Sequence, residues 1–146
     1  MKIIPYLCNA MKKILLTLLL ATGISAQAAE PWRLNLENKT EEVTLRLDLY
    51  EESITVPGME MFGPMNGYMN GKGIYGVWTI VSFEINSDRQ ATLRLSNDLG
   101  SETQSIRLTQ ETDSTYTMDL QGGVVVKKVV NRKLAKIPAR MTLTKK

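Results

Sequence analysis

The chain has 146 residues, no histidine and a single cysteine, Cys8. Those counts exclude Ser-His-Asp and Cys-His catalysis and the usual zinc, copper and haem ligand sets. Lysine and arginine number 18 against 15 acidic residues, but Lys2, Lys12 and Lys13 lie in an N-terminal leader, so the rest carries 15 of each sign. A net charge of zero argues against nucleic acid as a partner.

The leader reads as follows. Met11-Lys12-Lys13 is a positive start, Ile14 to Leu20 is a short apolar run, and Ala26-Gln27-Ala28 is an A-x-A cleavage site. The apolar run falls well short of the ~20 residues that span a bilayer. Residues 1–10 match no part of a signal peptide, so Met11 fits a start better than Met1. Residues 1–28 are therefore read as an N-terminal extension and signal peptide, and 29–146 as one β-domain. Export to the periplasm or the extracellular space is expected, with no transmembrane segment in the remaining chain. Cys8 lacks the apolar run that precedes a lipid-modified cysteine. With no later cysteine, stability must rest on packing alone.

Beyond the leader, apolar residues recur every second position. Trp32 to Leu36 opens the pattern, and Glu37 to Thr40 is a polar turn. Val43, Leu45, Leu47 and Leu49 alternate with Thr44, Arg46, Asp48 and Tyr50, which puts the first four inside and the others outside. Ser53 to Val56 keeps the same period and stops at Pro57-Gly58.

Pro57 to Gly76 holds Met59, Met61, Phe62, Met65, Tyr68, Met69 and Tyr75 among six glycines. Asn66-Gly67 and Asn70-Gly71 predict tight turns between very short strands. Gly73 to Ile85 is expected as the central strand. One face carries Tyr75, Val77, Thr79, Val81, Phe83 and Ile85; the other carries Ile74, Gly76, Trp78 and Ile80, then Ser82 and Glu84. This predicts a strand covered on both sides near its start and half-solvated near its end.

Further strands are expected at Ala91 to Leu95, Ser105 to Leu108, Tyr116 to Leu120, Val124 to Val126 with Val129-Val130, and Met141 to Leu143. Turns fall at Asn86 to Arg89, Asn97 to Gly100, Glu111 to Ser114 and Gly122-Gly123; Leu134 to Pro138 is less regular. No helix is evident past the leader. Many short strands at hairpin spacing indicate an all-β antiparallel meander. Closure removes sheet edges, so a small up-and-down barrel is the first expectation and a β-sandwich the alternative.

Three groups of residues could carry function. Met61, Phe62, Met65, Tyr68, Tyr75 and Trp78 could line an apolar pocket or a partner-binding edge, because methionine adapts its shape to what it meets; equally, they could simply pack over the barrel. The last 20 residues, Lys127 to Lys146, hold eight basic residues and no acidic one. Lys127, Lys128, Arg132, Lys133 and Lys136 could meet an anionic partner such as an envelope polymer or a lipid headgroup, or could solvate one face. The carboxylates Glu51, Glu52, Glu84, Asp88 and Asp98 lie near turns and show neither calcium-loop spacing nor a recognisable acid pair. No catalytic residue, metal or cofactor is expected.

Gly76-Val77-Trp78 resembles the Gly-x-Trp element of lipocalin-type barrels, where it lies on the first strand; here it is mid-chain. That resemblance implies a closed barrel around a small apolar ligand, with Gly76 and Trp78 the positions carried over. Leu47 to Gly58, the Gly67-Tyr68 turn and Lys133 to Pro138 look like small exported proteins of Bacteroidales with no assigned function. This likeness implies a cell-envelope location and brings no catalytic residues. The function expected is a non-enzymatic exported binding domain, for a small apolar ligand. The alternative is a protein-interaction module, an inhibitor or envelope accessory factor, that uses the Met/aromatic segment or a sheet edge.

Overall fold

The computed structural model describes residues 30–146; the leader, Cys8 and Met11 lie outside them. Ten strands follow in order: β1 Arg33–Asn38, β2 Val43–Asp48, β3 Gly67–Gly71, β4 Trp78–Ser87, β5 Gln90–Ser96, β6 Thr103–Gln110, β7 Thr115–Gly123, β8 Lys127–Val130, β9 Lys133–Lys136 and β10 Arg140–Lys145. The only helical element among the described residues is one 3-10 turn, Glu60–Phe62. Eight strands close an antiparallel barrel in the order β1-β10-β7-β6-β5-β4-β3-β2, and β8-β9 is a separate hairpin. Closure, rather than two packed sheets, satisfies the strand edges, so the barrel expectation holds and the sandwich is set aside.

Two-residue periodicity explains the interior. Val43, Leu45, Leu47 and Leu49 are all buried, as the alternation requires. They join one continuous cluster with Leu36, Met69, Ile80, Leu93, Ile106, Met118 and Leu143, and every strand of the barrel contributes to it. The edge of the Trp32 ring meets Tyr116, with centroids 6.5 Å apart. Eight strands leave an interior just wide enough for side chains to fill.

Four expectations need correction. Ser53 to Val56 is not a strand: it makes one bridge, Ile54 to Met65, because the chain has turned over the barrel. Ile54 and Val56 pack against Tyr68 on the outer face of β3, with Met59, Met65 and Val77 around them. Asn66-Gly67 and Asn70-Gly71 are not turns either. Both glycines lie in β3, opposite Leu47 and Val43. A Cβ on Gly67 would sit 2.2 Å from the Arg46 carbonyl oxygen, so close approach of strands, not a reversal, explains that glycine.

Val124 to Val126 connects rather than pairs. Strand β8 starts at Lys127 and pairs with β9, which occupies the stretch expected to be irregular. Finally, the central strand begins at Trp78, not Gly73. Gly73 and Gly76 hold φ of +81° and +72°, values that end a strand.

The faces of β4 also differ from strict alternation. A bulge falls between Ile80 and Ser82: Ile80 opposes Leu95, Ser82 opposes Arg94 and Phe83 opposes Leu93. The extra residue reverses which side chains point inward. Trp78 and Ile80 are buried on the inner face before it; Phe83 and Ile85 fall on that face after it, opposite Leu93 and Ala91, but remain exposed. The sequence carries this as a spacing of three between two apolar pairs.

Candidate functional site

Pairing in the barrel is sparsest at two seams, β1 with β10 and β3 with β4, each of two residue pairs. At the second seam β3 and β4 pair only at Tyr68–Thr79 and Met69–Trp78, whereas β4 and β5 pair along their length, from Thr79–Ser96 to Ser87–Gln90, with register shifts at two points. The chain before β3 explains the mismatch. Asn66 turns to β2, where its carbonyl accepts from the Asp48 N–H at 2.7 Å. Met65 exchanges both backbone bonds with Ile54, at 3.0 and 2.8 Å. Pro64 has no N–H to give to a ladder. Among the described residues, Val81 to Ser87 therefore has no strand on its β3 side.

This free edge is apolar. Val81, Phe83 and Ile85 are 55, 38 and 42% exposed, although Phe83 and Ile85 sit on the face that is fully buried in neighbouring β5. Glu84 is the one charged side chain between Val81 and Ser87. Edges are ordinarily blunted by lysine, proline or bulges. This one has the bulge but neither lysine nor proline.

The loop that leaves the edge open is tied down by Asp48. Its carboxylate accepts from the Ser53 hydroxyl at 2.7 Å, the Tyr50 N–H at 3.0 Å and the Glu51 N–H at 3.1 Å, and pairs with Arg33 Nε at 3.0 Å. Burial acts to raise its pKa; the Ser53 hydroxyl, the two backbone N–H groups and the Arg33 guanidinium outweigh it and hold the carboxyl below the usual aspartate value. Asp48 lies on the outer face as the alternation predicts, yet it is buried because this loop covers it.

The structure does not gather the six Met/aromatic residues into one site. Met65 and Tyr68 belong to the small cluster outside β3. Trp78 is in the main core. Met61 and Phe62 are exposed on the 3-10 turn, and Tyr75 is exposed in the segment leading into β4. Tyr75 and Trp78 do share a shallow depression of about 230 Å³ with Leu99, Val124, Lys127 and Leu134. Gly76, the other position of the Gly-x-Trp likeness, packs on Asp98, whose carboxylate would lie 2.6 Å from an added Cβ.

The five basic residues do collect, on the β8-β9 hairpin. Lys127 and Lys136 are directly opposite one another, as are Val129 and Leu134. Lys128 differs from the rest: it is largely covered and pairs with Glu41 at 2.5 Å. Lys127, Arg132, Lys133 and Lys136 are exposed and have no acidic partner among the described residues.

Val81, Phe83 and Ile85 were placed on a strand by the sequence but not in a site. The mismatch in length between β3 and β4 was the missing signal, and Pro64 was its trace. Among the described residues, no helix is long and apolar enough to cross a membrane, and no three acidic residues gather as a metal site. No known protein family, curated protein or solved structure matches this chain.

Proposed function

We propose that this is an exported, non-enzymatic protein-interaction module that takes an extended segment of a partner along the free edge of β4. The observation that carries the reading is the unpaired stretch Val81 to Ser87, with Phe83 and Ile85 half-exposed on a core face. A partner strand would satisfy the open backbone groups and cover those two side chains at once. An inhibitor or an envelope accessory factor would use such an edge by strand addition. Met61 and Phe62, exposed on the loop before β3, are a second apolar surface open to a partner.

The reading of a small apolar ligand inside the barrel has less support, because side chains from all eight strands already occupy the interior. The lack of histidine, and of cysteine beyond Cys8, supports a non-enzymatic role. The leader pattern supports export.

The test compares partners captured from envelope extracts by wild-type protein, by Phe83→Lys/Ile85→Lys and by Met61→Asp/Phe62→Asp. Hydrogen exchange of the captured complex is then read at Val81 to Ser87. Loss of the partner with the lysine pair, and slowed exchange along the edge, are expected. A partner that binds the folded lysine variant equally well overturns the reading. Native-state binding of a fluorescent fatty acid, displaced by no edge mutation, would favour the ligand reading instead.

A further inference from the structure

The β8-β9 hairpin lies apart from that edge and carries its own chemistry. Strand β8 is fixed to the barrel. The Val129 N–H donates to the Gly73 carbonyl at 2.8 Å, and Lys128 Nζ donates to the Glu41 carbonyl at 3.0 Å beside its ion pair. The hairpin tip is free. Val129, Val130 and Leu134 are exposed, with Leu134 at 64%, and Arg132 and Lys133 lie between them in the chain.

Two features of the hairpin oppose its own stability. Asn131 and Arg132 hold φ of +51° and +65°, a two-residue turn whose second position suits glycine far better than arginine. Lys127 also stands directly across from Lys136, and like charges in that position repel. An unfavourable arginine at an exposed apex, next to three bare aliphatic side chains, is explained if the apex meets something. The apolar surface continues beyond the hairpin, since Leu134 and Lys127 share the depression with Tyr75, Leu99 and Val124.

We infer that this hairpin docks on an anionic lipid bilayer. The aliphatic tip enters the headgroup boundary, and the cations stay at phosphate level on their long stems. A free phosphate would need converging donors, and these cations are spread along both strands. An anionic polymer would use the cations but not Val129, Val130 and Leu134. The charges fit at the hairpin, where Lys127, Arg132, Lys133 and Lys136 lack acidic partners among the described residues; Asp98 and Glu102 in the depression oppose an anionic surface and keep that wall out of the headgroups.

The test is flotation of the full chain with vesicles of phosphatidylcholine alone and of an equal mixture with phosphatidylglycerol. Wild type should bind the mixed vesicles at least about tenfold more tightly, and Arg132→Gln/Lys133→Gln should lose about fivefold per cation removed. Val129→Ser/Leu134→Ser should weaken binding further while leaving the thermal melt unchanged. Equal binding by wild type and by the combined four-residue variant overturns the inference. So does full binding by the serine pair with competition by dextran sulfate, which would mark an anion surface without lipid insertion. Both hairpin variants should still capture a β4-edge partner, so this inference and the edge reading fail separately.

Discussion

Asp48 gives the sharpest test of how this fold is held. Asp48→Ala removes the acceptor for the Tyr50 and Glu51 N–H groups and for the Ser53 hydroxyl, and leaves Arg33 without its buried partner. A hydrogen bond to a charged group contributes about 1.5–3 kcal/mol. The donors lie near solvent, so water replaces part of each bond, and the contributions do not add fully. A loss of about 2–4 kcal/mol is expected. Asp48→Asn keeps one oxygen for the two N–H groups and should lose about half as much.

The folded pKa of Asp48 is lowered from 3.8. The carboxylate's stabilisation is therefore complete above that value and is lost as pH falls through the lower folded one. Urea melts of wild type and Asp48→Asn at pH 7, 4 and 2 measure it. The gap between them should be full at pH 7 and shrink toward pH 2. A gap that is the same at both ends, or a loss under about 0.5 kcal/mol at pH 7, would refute this role for Asp48.

Four other variants test the packing and the backbone. Leu47→Ala should cost about 2–5 kcal/mol, since Leu47 is fully buried; a denaturant melt showing under about 1 kcal/mol would contradict that burial. Gly67→Ala, with its Cβ 2.2 Å from the Arg46 carbonyl oxygen and 2.9 Å from Ile80 Cδ1, should lose at least about 2 kcal/mol. Gly100→Ala, with open space at +71°, should lose only the left-handed strain of about 1 kcal/mol, and the reverse order would refute the steric account. Arg132→Gly should raise the hairpin's stability by about 0.5–1 kcal/mol, read as slower exchange of β8 amides; faster exchange would show that the turn is not strained.

Much of the barrel was legible in the residues. Alternation in Val43 to Leu49, Ala91 to Leu95 and Tyr116 to Leu120 fixes which side chains face inward, because a strand's side-chain period is a local property. The polar breaks at Asn86 to Arg89 and Glu111 to Ser114 fix where the chain reverses. The basic residues of the hairpin were legible as a group, but their register was not. Lys127 opposite Lys136, and Lys128 diverted to Glu41, depend on which strand pairs with which.

The methionine-rich segment misled for the same reason. Asn-Gly pairs favour tight turns locally, but at Gly67 and Gly71 the approach of β2 recruits the missing side chain for a different purpose. Composition and period thus determined an all-β chain with an inner leucine row, since those depend on neighbours in sequence. Tertiary structure alone decided the β4 bulge, the burial of Asp48 and the edge left bare at Val81 to Ser87. Each of these arises where a distant segment arrives, or fails to arrive, beside a strand whose own pattern is silent about its neighbour.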